Sequence, residues 1–344
     1  MRAWRVTKYG RPSEALQLDE VPLPVAGLGE ILVRNAASAC NYNEVDGCHG
    51  RYLTVNPPLP YTLGMEFVGE VVGAGAGAEA WLGRRVMAIG TGATGAHAEH
   101  AVGPAVMAFD VPDGLDDAAA AAFYIPFHLA YLGLHERGGL CGGETVLVHA
   151  AAGGVGSAAV QLAVAAGARV IATAGGAEKV EFVKGLGADV VIDYRSGGFA
   201  DAVLDATDGR GVEVCFDGVG GDVTLESLRC LTRNGRHLVV GFASGIEAEE
   251  VPIITGRMMC FGNISIVGVL LSYQDPATVP RGVGYNPTPR EVGERVNDAL
   301  MERLQAGKIR PLVSKVVPFE DLPSALEAMS DRATMGRVVI QISG

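Results

Sequence analysis

The sequence contains no CxxC pair; its six cysteines, Cys40, Cys48, Cys141, Cys215, Cys230 and Cys260, lie scattered along the chain. That spacing excludes a cysteine-rich metal cluster and a disulfide framework, so free and mostly buried thiols are expected. Hydrophobic residues make up 49% of the chain, yet glycines and charges interrupt every apolar run, and none approaches the ~20 residues that a membrane span needs. There is no Lys/Arg-rich block either, and a formal net charge of −12 repels nucleic acids and anionic membranes at long range. The opening residues Met1-Arg2-Ala3-Trp4-Arg5-Val6 alternate like a strand and lack the apolar core of a signal peptide. The expectation is a soluble, cytoplasmic protein with small-molecule chemistry and no nucleic-acid or membrane partner.

At 344 residues the chain exceeds the usual size of one domain. Short segments broken by Gly and Pro, at residues 31–36, 67–72, 84–89 and 97–102, predict an all-β module. After Pro112 an Asp-rich cap precedes the alanines of 118–122, and a helix is expected to run on towards Glu136. From Glu144 short apolar runs alternate with helical stretches, the pattern of parallel strands covered on both faces. Six runs, at 145–149, 169–173, 190–193, 212–217, 237–241 and 264–270, make a complete doubly wound sheet. A Pro- and Gly-rich loop at 275–289 precedes a helix near 290–304, a strand at 312–317, a helix at 319–329 and a strand at 337–340. This tail is expected to return to the first module, giving a β domain from residues 1–122 and 272–344 and a Rossmann domain from 123–271.

The turn Ala150-Ala151-Ala152-Gly153-Gly154-Val155-Gly156 follows the strand Thr145-Val146-Leu147-Val148 and opens a helix at 157–166, the context that gives a glycine pattern its meaning. In the spacing Ala151, Gly153, Gly156, Gly153 lets backbone approach a pyrophosphate and Gly156 lets the helix pack against the strand. The helix N-terminus presents free N–H groups to the anion. The first glycine of the usual fingerprint is alanine here. A strand-to-helix turn in an unliganded α/β protein is the bland alternative, and the six strands around the turn weigh against it. At the end of the second strand, Thr173-Ala174-Gly175-Gly176, there is no acid of the kind that binds the ribose 2′-OH of NAD. Ala174 and Gly175 leave room for a 2′-phosphate, and Lys179, Tyr194 and Arg195 are candidate partners that also read as solvated surface side chains. NADPH is the expected cofactor.

The stretches PYTLGMEFVGEVVGAG, HAAAGGVGSAAVQLA, VCFDGVGGD, GRHLVVGFASG and PFEDLPSALEAMSDRATMGRVVI together resemble the quinone oxidoreductase branch of the medium-chain dehydrogenase/reductase superfamily, in order and over nearly the whole chain. The resemblance implies an α/β fold: a GroES-like β domain formed by both chain ends plus a Rossmann domain with a doubly wound, parallel six-stranded sheet. It also implies cofactor contacts at Gly218, Val219, Gly241, Phe242, Ala243 and Asn263. Zinc-dependent relatives supply Cys and His where this chain has Asn41 and Met65, so a zinc-free protein is expected, because a catalytic zinc needs three protein ligands. Cys40, one residue away, with Glu66 would still leave the set incomplete. His97, Glu99 and His100 cannot converge on a metal if they lie in one strand.

Without a Lewis acid the chemistry left is hydride delivery to an electron-poor acceptor, a quinone or α,β-unsaturated carbonyl. The segment from Cys40 to Tyr52 resembles both the quinone reductases and the zinc-free enoyl-thioester reductases of the superfamily, and through Gly50-Arg51-Tyr52 that resemblance implies Tyr52 as proton donor or orienting hydroxyl, with Asn41 beside the nicotinamide and Tyr42 as a further candidate; Tyr52 also reads as an aromatic packed under Pro57-Pro58. His128 reads as a packing residue. Two alternatives stay open: an enoyl-thioester reductase acting on acyl-CoA, and an NADPH-binding protein with little catalysis. The family resemblance further implies a homodimer joined through the sixth strand, which at 263–269 is apolar and would need such cover.

Overall fold

The computed structural model describes residues 1–51, 57–244, 254–280, 282 and 284–343. In chain order the strands are β1 (Arg2–Val6), β2 (Leu16–Glu20), β3 (Glu30–Ala39), β4 (Tyr61–Thr62), β5 (Glu66–Ala74), β6 (Arg85–Ile89), β7 (His100–Pro104), β8 (Phe109–Asp110), β9 (Thr145–Val148), β10 (Arg169–Ala174), β11 (Val190–Asp193), β12 (Val212–Asp217), β13 (Leu231–Val239), β14 (Ser265–Gly268), β15 (Val313–Pro318) and β16 (Arg337–Gln341). The α-helices are α1 (Pro12–Ala15), α2 (Tyr42–Cys48), α3 (Asp117–Ala121), α4 (Tyr124–Tyr131), α5 (Gly154–Ala165), α6 (Ala177–Lys184), α7 (Ala200–Ala206), α8 (Asp222–Leu228), α9 (Gly256–Gly262), α10 (Arg290–Gln305) and α11 (Leu322–Ser330). Among the described residues no helix is long and apolar enough to cross a membrane.

The chain divides into two units: Met1–Tyr124 with Ser272–Gly293 and Pro311–Gly344, and Ile125–Leu271 with Glu294–Arg310. The first is built on a seven-stranded sheet ordered β15-β16-β3-β5-β6-β8, with β7 also paired to β3, and a three-stranded sheet β2-β1-β4. The branched and small apolar residues of β3 and β5 bury Ile31, Val33, Phe67 and Val71 with Val86 in one core. A second core gathers Trp4, Val45, Leu63, Phe319, Leu322 and Ile340 from segments at opposite ends of the sequence. There the Trp4 Nε1–H donates to the Phe319 carbonyl at 2.8 Å, which satisfies the one polar atom of the buried indole.

The second unit holds a six-stranded parallel sheet ordered β11-β10-β9-β12-β13-β14. The order runs one way from β9 to β11 and the other way from β12, so β9 and β12 flank a topological switch point. Connections on the two sides of that point pass over opposite faces and leave a crevice outside the carboxyl ends of the strands. Leu147, Ile171, Phe199, Val203, Val212 and Cys215 close the core on one face.

Several sequence expectations change. The helix expected to run from Ala118 towards Glu136 is broken between α3 and α4 and ends in a π-helical stretch, Leu132–Arg137. Pro126 explains the restart: it lacks an N–H and is tolerated only in a helix's first turn, so α4 begins two residues before it. β13 begins at Leu231, not 237, because its polar start, Thr232-Arg233-Asn234-Gly235, is spanned by a register shift against β12. Residues 294–310, assigned above to the returning tail, pack in the second unit. The expectation of free and mostly buried thiols holds: four of the cysteines are buried, whereas Cys141 and Cys260 are exposed.

Candidate functional site

In the second unit β9 ends against the turn at Ala150, which takes a left-handed φ of 50° although it carries a Cβ. Ala151 N–H donates to the Thr173 carbonyl at 3.1 Å, tying the turn to β10. Gly153 caps α5 with no side-chain bond of its own, so the first helical N–H groups, of Gly154, Val155 and Gly156, have no intrahelical acceptor. A Cβ on Gly156 would lie 2.3 Å from the Ala150 oxygen, so only glycine lets the helix approach its strand this closely. Ala151 and Ala174 are buried and contribute through backbone and shape.

Beneath the turn lies a buried polar network. The His149 ring bridges Thr173 Oγ1 at 2.9 Å and Ser227 Oγ at 2.8 Å, and burial pushes its pKa down to about 4. Asp217, at the end of β12, accepts from the N–H groups of Val219 (2.8 Å) and Gly220 (3.0 Å) and from Thr224 Oγ1 (2.6 Å). His237 Nε2 lies 3.2 Å from the same carboxylate. Burial would raise the Asp217 pKa, but these donors and the neighbouring imidazoles outweigh it and hold the group ionised. The loops after β12 and β13 are joined by Ala243 N–H to the Gly218 carbonyl (3.2 Å) and Ser244 N–H to Val219 (2.8 Å). The structure thus brings Gly218 and Val219 together with Gly241, Phe242 and Ala243, at the same sheet edge as the glycine turn.

Asn263 is a correction. It caps the C-terminus of α9 in a left-handed conformation, and its carbonyl accepts from Asn234 N–H at 2.8 Å. It precedes β14, whereas the glycine turn follows β9. In a parallel sheet those positions fall at opposite edges, so Asn263 is not among the residues that gather at the turn. Tyr194 and Arg195 follow β11 in a 3-10 turn and close over Gly175 and Gly176. Lys179 lies in the first turn of α6.

In the first unit Asn41 caps α2 in a capping box with Glu44. Its amide is fully engaged: Nδ2 donates to the Ala39 carbonyl (3.1 Å), with Glu66 Oε1 at 3.3 Å and Glu44 Oε1 at 3.4 Å, while Oδ1 accepts from Arg337 Nη1 at 3.0 Å. With only 7% of its surface exposed, Asn41 is a buried strut whose amide is engaged within the first unit. Arg337 also pairs with Glu66. Glu44 accepts from the N–H groups of Asn41 (3.1 Å) and Met65 (3.0 Å) and faces His97 Nε2 at 2.8 Å, whose Nδ1 lies 2.8 Å from Ser38 Oγ. Burial would raise the Glu44 pKa; the neighbouring His97 ring and these hydrogen bonds reverse that and lower it.

Sequence reasoning missed Arg337, Ser38 and the role of His97. Only the Asn41-x-x-Glu44 capping box was legible, as a Ser/Thr/Asp/Asn-x-x-Glu pattern ahead of a helix. Tyr42, first residue of α2, is half-buried; Tyr52 lies outside the described residues. The side chains here do not fit a catalytic zinc. Asn41 and Met65 are neither thiolate nor imidazole, Glu66 is paired with a guanidinium, and burial raises the Cys40 thiol pKa well above its ordinary value. Among the described residues no three His, Cys, Asp or Glu side chains are grouped to hold a metal ion.

Residues 27–113 match the alcohol dehydrogenase GroES-like domain family and residues 154–283 the zinc-binding dehydrogenase family. The chain is 36% identical over 318 residues to a quinone oxidoreductase-like protein 2 homolog of Nematostella vectensis, covering 91% of this chain and 82% of that one. It is 30% identical to a quinone oxidoreductase of Sus scrofa, covering 99% and 97%. The crystal structure of Escherichia coli quinone oxidoreductase complexed with NADPH superposes with a TM-score of 0.84 at 30% identity, covering 99% of this chain and all of that one.

Proposed function

The chain belongs to the quinone oxidoreductase branch of the medium-chain dehydrogenase/reductase superfamily, and from that premise we propose that it is an NADPH-dependent, zinc-independent reductase of quinones or α,β-unsaturated carbonyls. The observation that carries this reading is the glycine turn at the switch point of the parallel sheet, with Tyr194 and Arg195 closing over Gly175 and Gly176. NADPH held there supplies the hydride.

The chain's own residues bind and orient. The N–H groups of Gly154, Val155 and Gly156 would hold the pyrophosphate, and the helix dipole of α5 would favour its charge. The ledge made by Gly218, Val219 and Gly241–Ala243 is fixed by main-chain bonds and by the Asp217 carboxylate, so it would offer the nicotinamide half of a bound NADPH a rigid surface. Hydride addition to a quinone or enone leaves an oxyanion that needs a hydrogen-bond donor and a proton. Because the Asn41 amide is spent internally, that task falls to the hydroxyls of Tyr52 and Tyr42, while Asn41 fixes the start of the helix that presents Tyr42. Zinc independence is supported by the poor fit of Asn41, Met65 and the Glu66–Arg337 pair to a metal.

The test is NADPH oxidation by purified protein with naphthoquinone, phenanthrenequinone, small enones and crotonyl-CoA, before and after chelator treatment. Turnover that survives the chelator is expected. Failure on every acceptor overturns the reading, and crotonyl-CoA as the sole good acceptor moves the substrate class to enoyl thioesters. A homodimer belongs to the same proposal: β14 is one of the two terminal strands of the sheet, and α9, just before it in the chain, leaves Phe261 79% exposed.

A further inference from the structure

We infer that Asp193 is a specificity-determining positioning residue, holding Arg195 over the Gly175-Gly176 turn and so setting the preference for a cofactor with a 2′-phosphate. The inference rests on the NADPH reading above and adds to it a residue that touches no cofactor atom itself.

Asp193 ends β11 in direct register with Ala174, the last residue of β10. Its Oδ1 accepts two main-chain N–H groups, from Gly176 at 3.0 Å and from Arg195 at 3.0 Å. A single oxygen therefore ties the turn after β10 to the turn after β11. Those two bonds hold the carboxyl below its ordinary pKa, so the tie is made by the ionised form.

The consequence is visible in the space above the glycines. A Cβ on Gly175 would lie 2.5 Å from Tyr194 Oη and 3.1 Å from Arg195 Nε, and one on Gly176 would lie 2.9 Å from Arg195 Nη1. The hydroxyl and the guanidinium occupy the volume that side chains would take. The Arg195 charge lies near enough to Asp193 to help lower that carboxyl's pKa, but among the described residues its guanidinium forms no salt bridge, which leaves donors for a ligand.

In an NAD enzyme the acid near this turn binds the ribose hydroxyls and repels a phosphate. Here the nearby acid is bound to main-chain N–H groups instead, which disperses its charge, and what it presents is a cation. A guanidinium gains charge-assisted hydrogen bonds from a 2′-phosphate and little from a 2′-hydroxyl.

The experiment measures dissociation constants of NADPH and NADH, and of 2′,5′-ADP and 5′-ADP, by calorimetric titration of the full chain. Wild type is compared with Arg195→Ala, Asp193→Ala and Asp193→Asn. The ratio of the paired constants is the readout, because a general loss of folded protein affects both members equally. Asp193→Ala is expected to lower the preference for the 2′-phosphorylated ligand roughly tenfold, the scale of one charge-assisted bond. Asp193→Asn keeps a carbonyl acceptor for both N–H groups and is expected to hold the ratio within about twofold of wild type. An unchanged ratio in Asp193→Ala, or an equal loss in Asp193→Asn, overturns the inference and leaves the cofactor reading standing. A wild-type protein that binds NADH as well as NADPH overturns that reading itself.

Discussion

A single methyl group at Gly156 would collide with the Ala150 oxygen at 2.3 Å. Since the obstacle is backbone, Gly156→Ala must push α5 away from β9, and the expected result is a lower melting temperature with NADPH binding lost in titration. At Arg337 the effect is electrostatic. Replacing it with Met leaves Glu66, buried to 1% exposure, without its guanidinium. Breaking a buried pair from one side costs about 3–5 kcal/mol, to be read from urea unfolding. His149 gives a pH dependence. Its folded pKa of about 4 lies below the ~6.5 of an unfolded histidine, so the unfolded chain binds more protons between those values. Stability therefore falls as pH drops from about 6.5 towards 4, and His149→Gln, which still reaches Thr173 and Ser227, is expected to flatten that slope. His135, pushed down to about 4 by burial and by Arg303, leaves a residual slope.

Elements were legible where local pattern decides them. The parallel strands announced themselves as short apolar runs, and β11 and β12 were read to the residue because Gly, Asp or turn residues bound them sharply. β13 was misjudged at its start because a polar bulge looks like a turn when no neighbour is known. The first-unit site was legible only in part for the same reason. The Asn41–Glu44 box spans three residues, whereas the bond from Arg337 to Asn41 spans 296, and no periodicity signals that pairing. Asn263 was misplaced because resemblance gives a position in sequence and not the sheet edge on which it falls. At this scale the proposed dimer edge beside α9 gives a prediction: wild type is expected to show a dimeric mass in light scattering and Phe261→Glu a monomeric one, with NADPH affinity unchanged.

For the molecule as a whole, β3 pairs with β16 through Ala37–Ala39, and Arg337, the first residue of β16, supplies the guanidinium for Glu66. The second unit, by contrast, draws its six strands from one uninterrupted stretch ending at Leu271. Order of synthesis then separates the two. On the ribosome the parallel sheet has all its strands while the Ala37–Ala39 end of β3, beyond the stretch that β7 covers, still waits for a partner that has not been translated, and an open edge invites pairing with other chains. Nascent chains arrested before Arg337 should therefore show protease-resistant fragments from the second unit and cleavage in the first. The unit that begins earliest in translation is the one completed last.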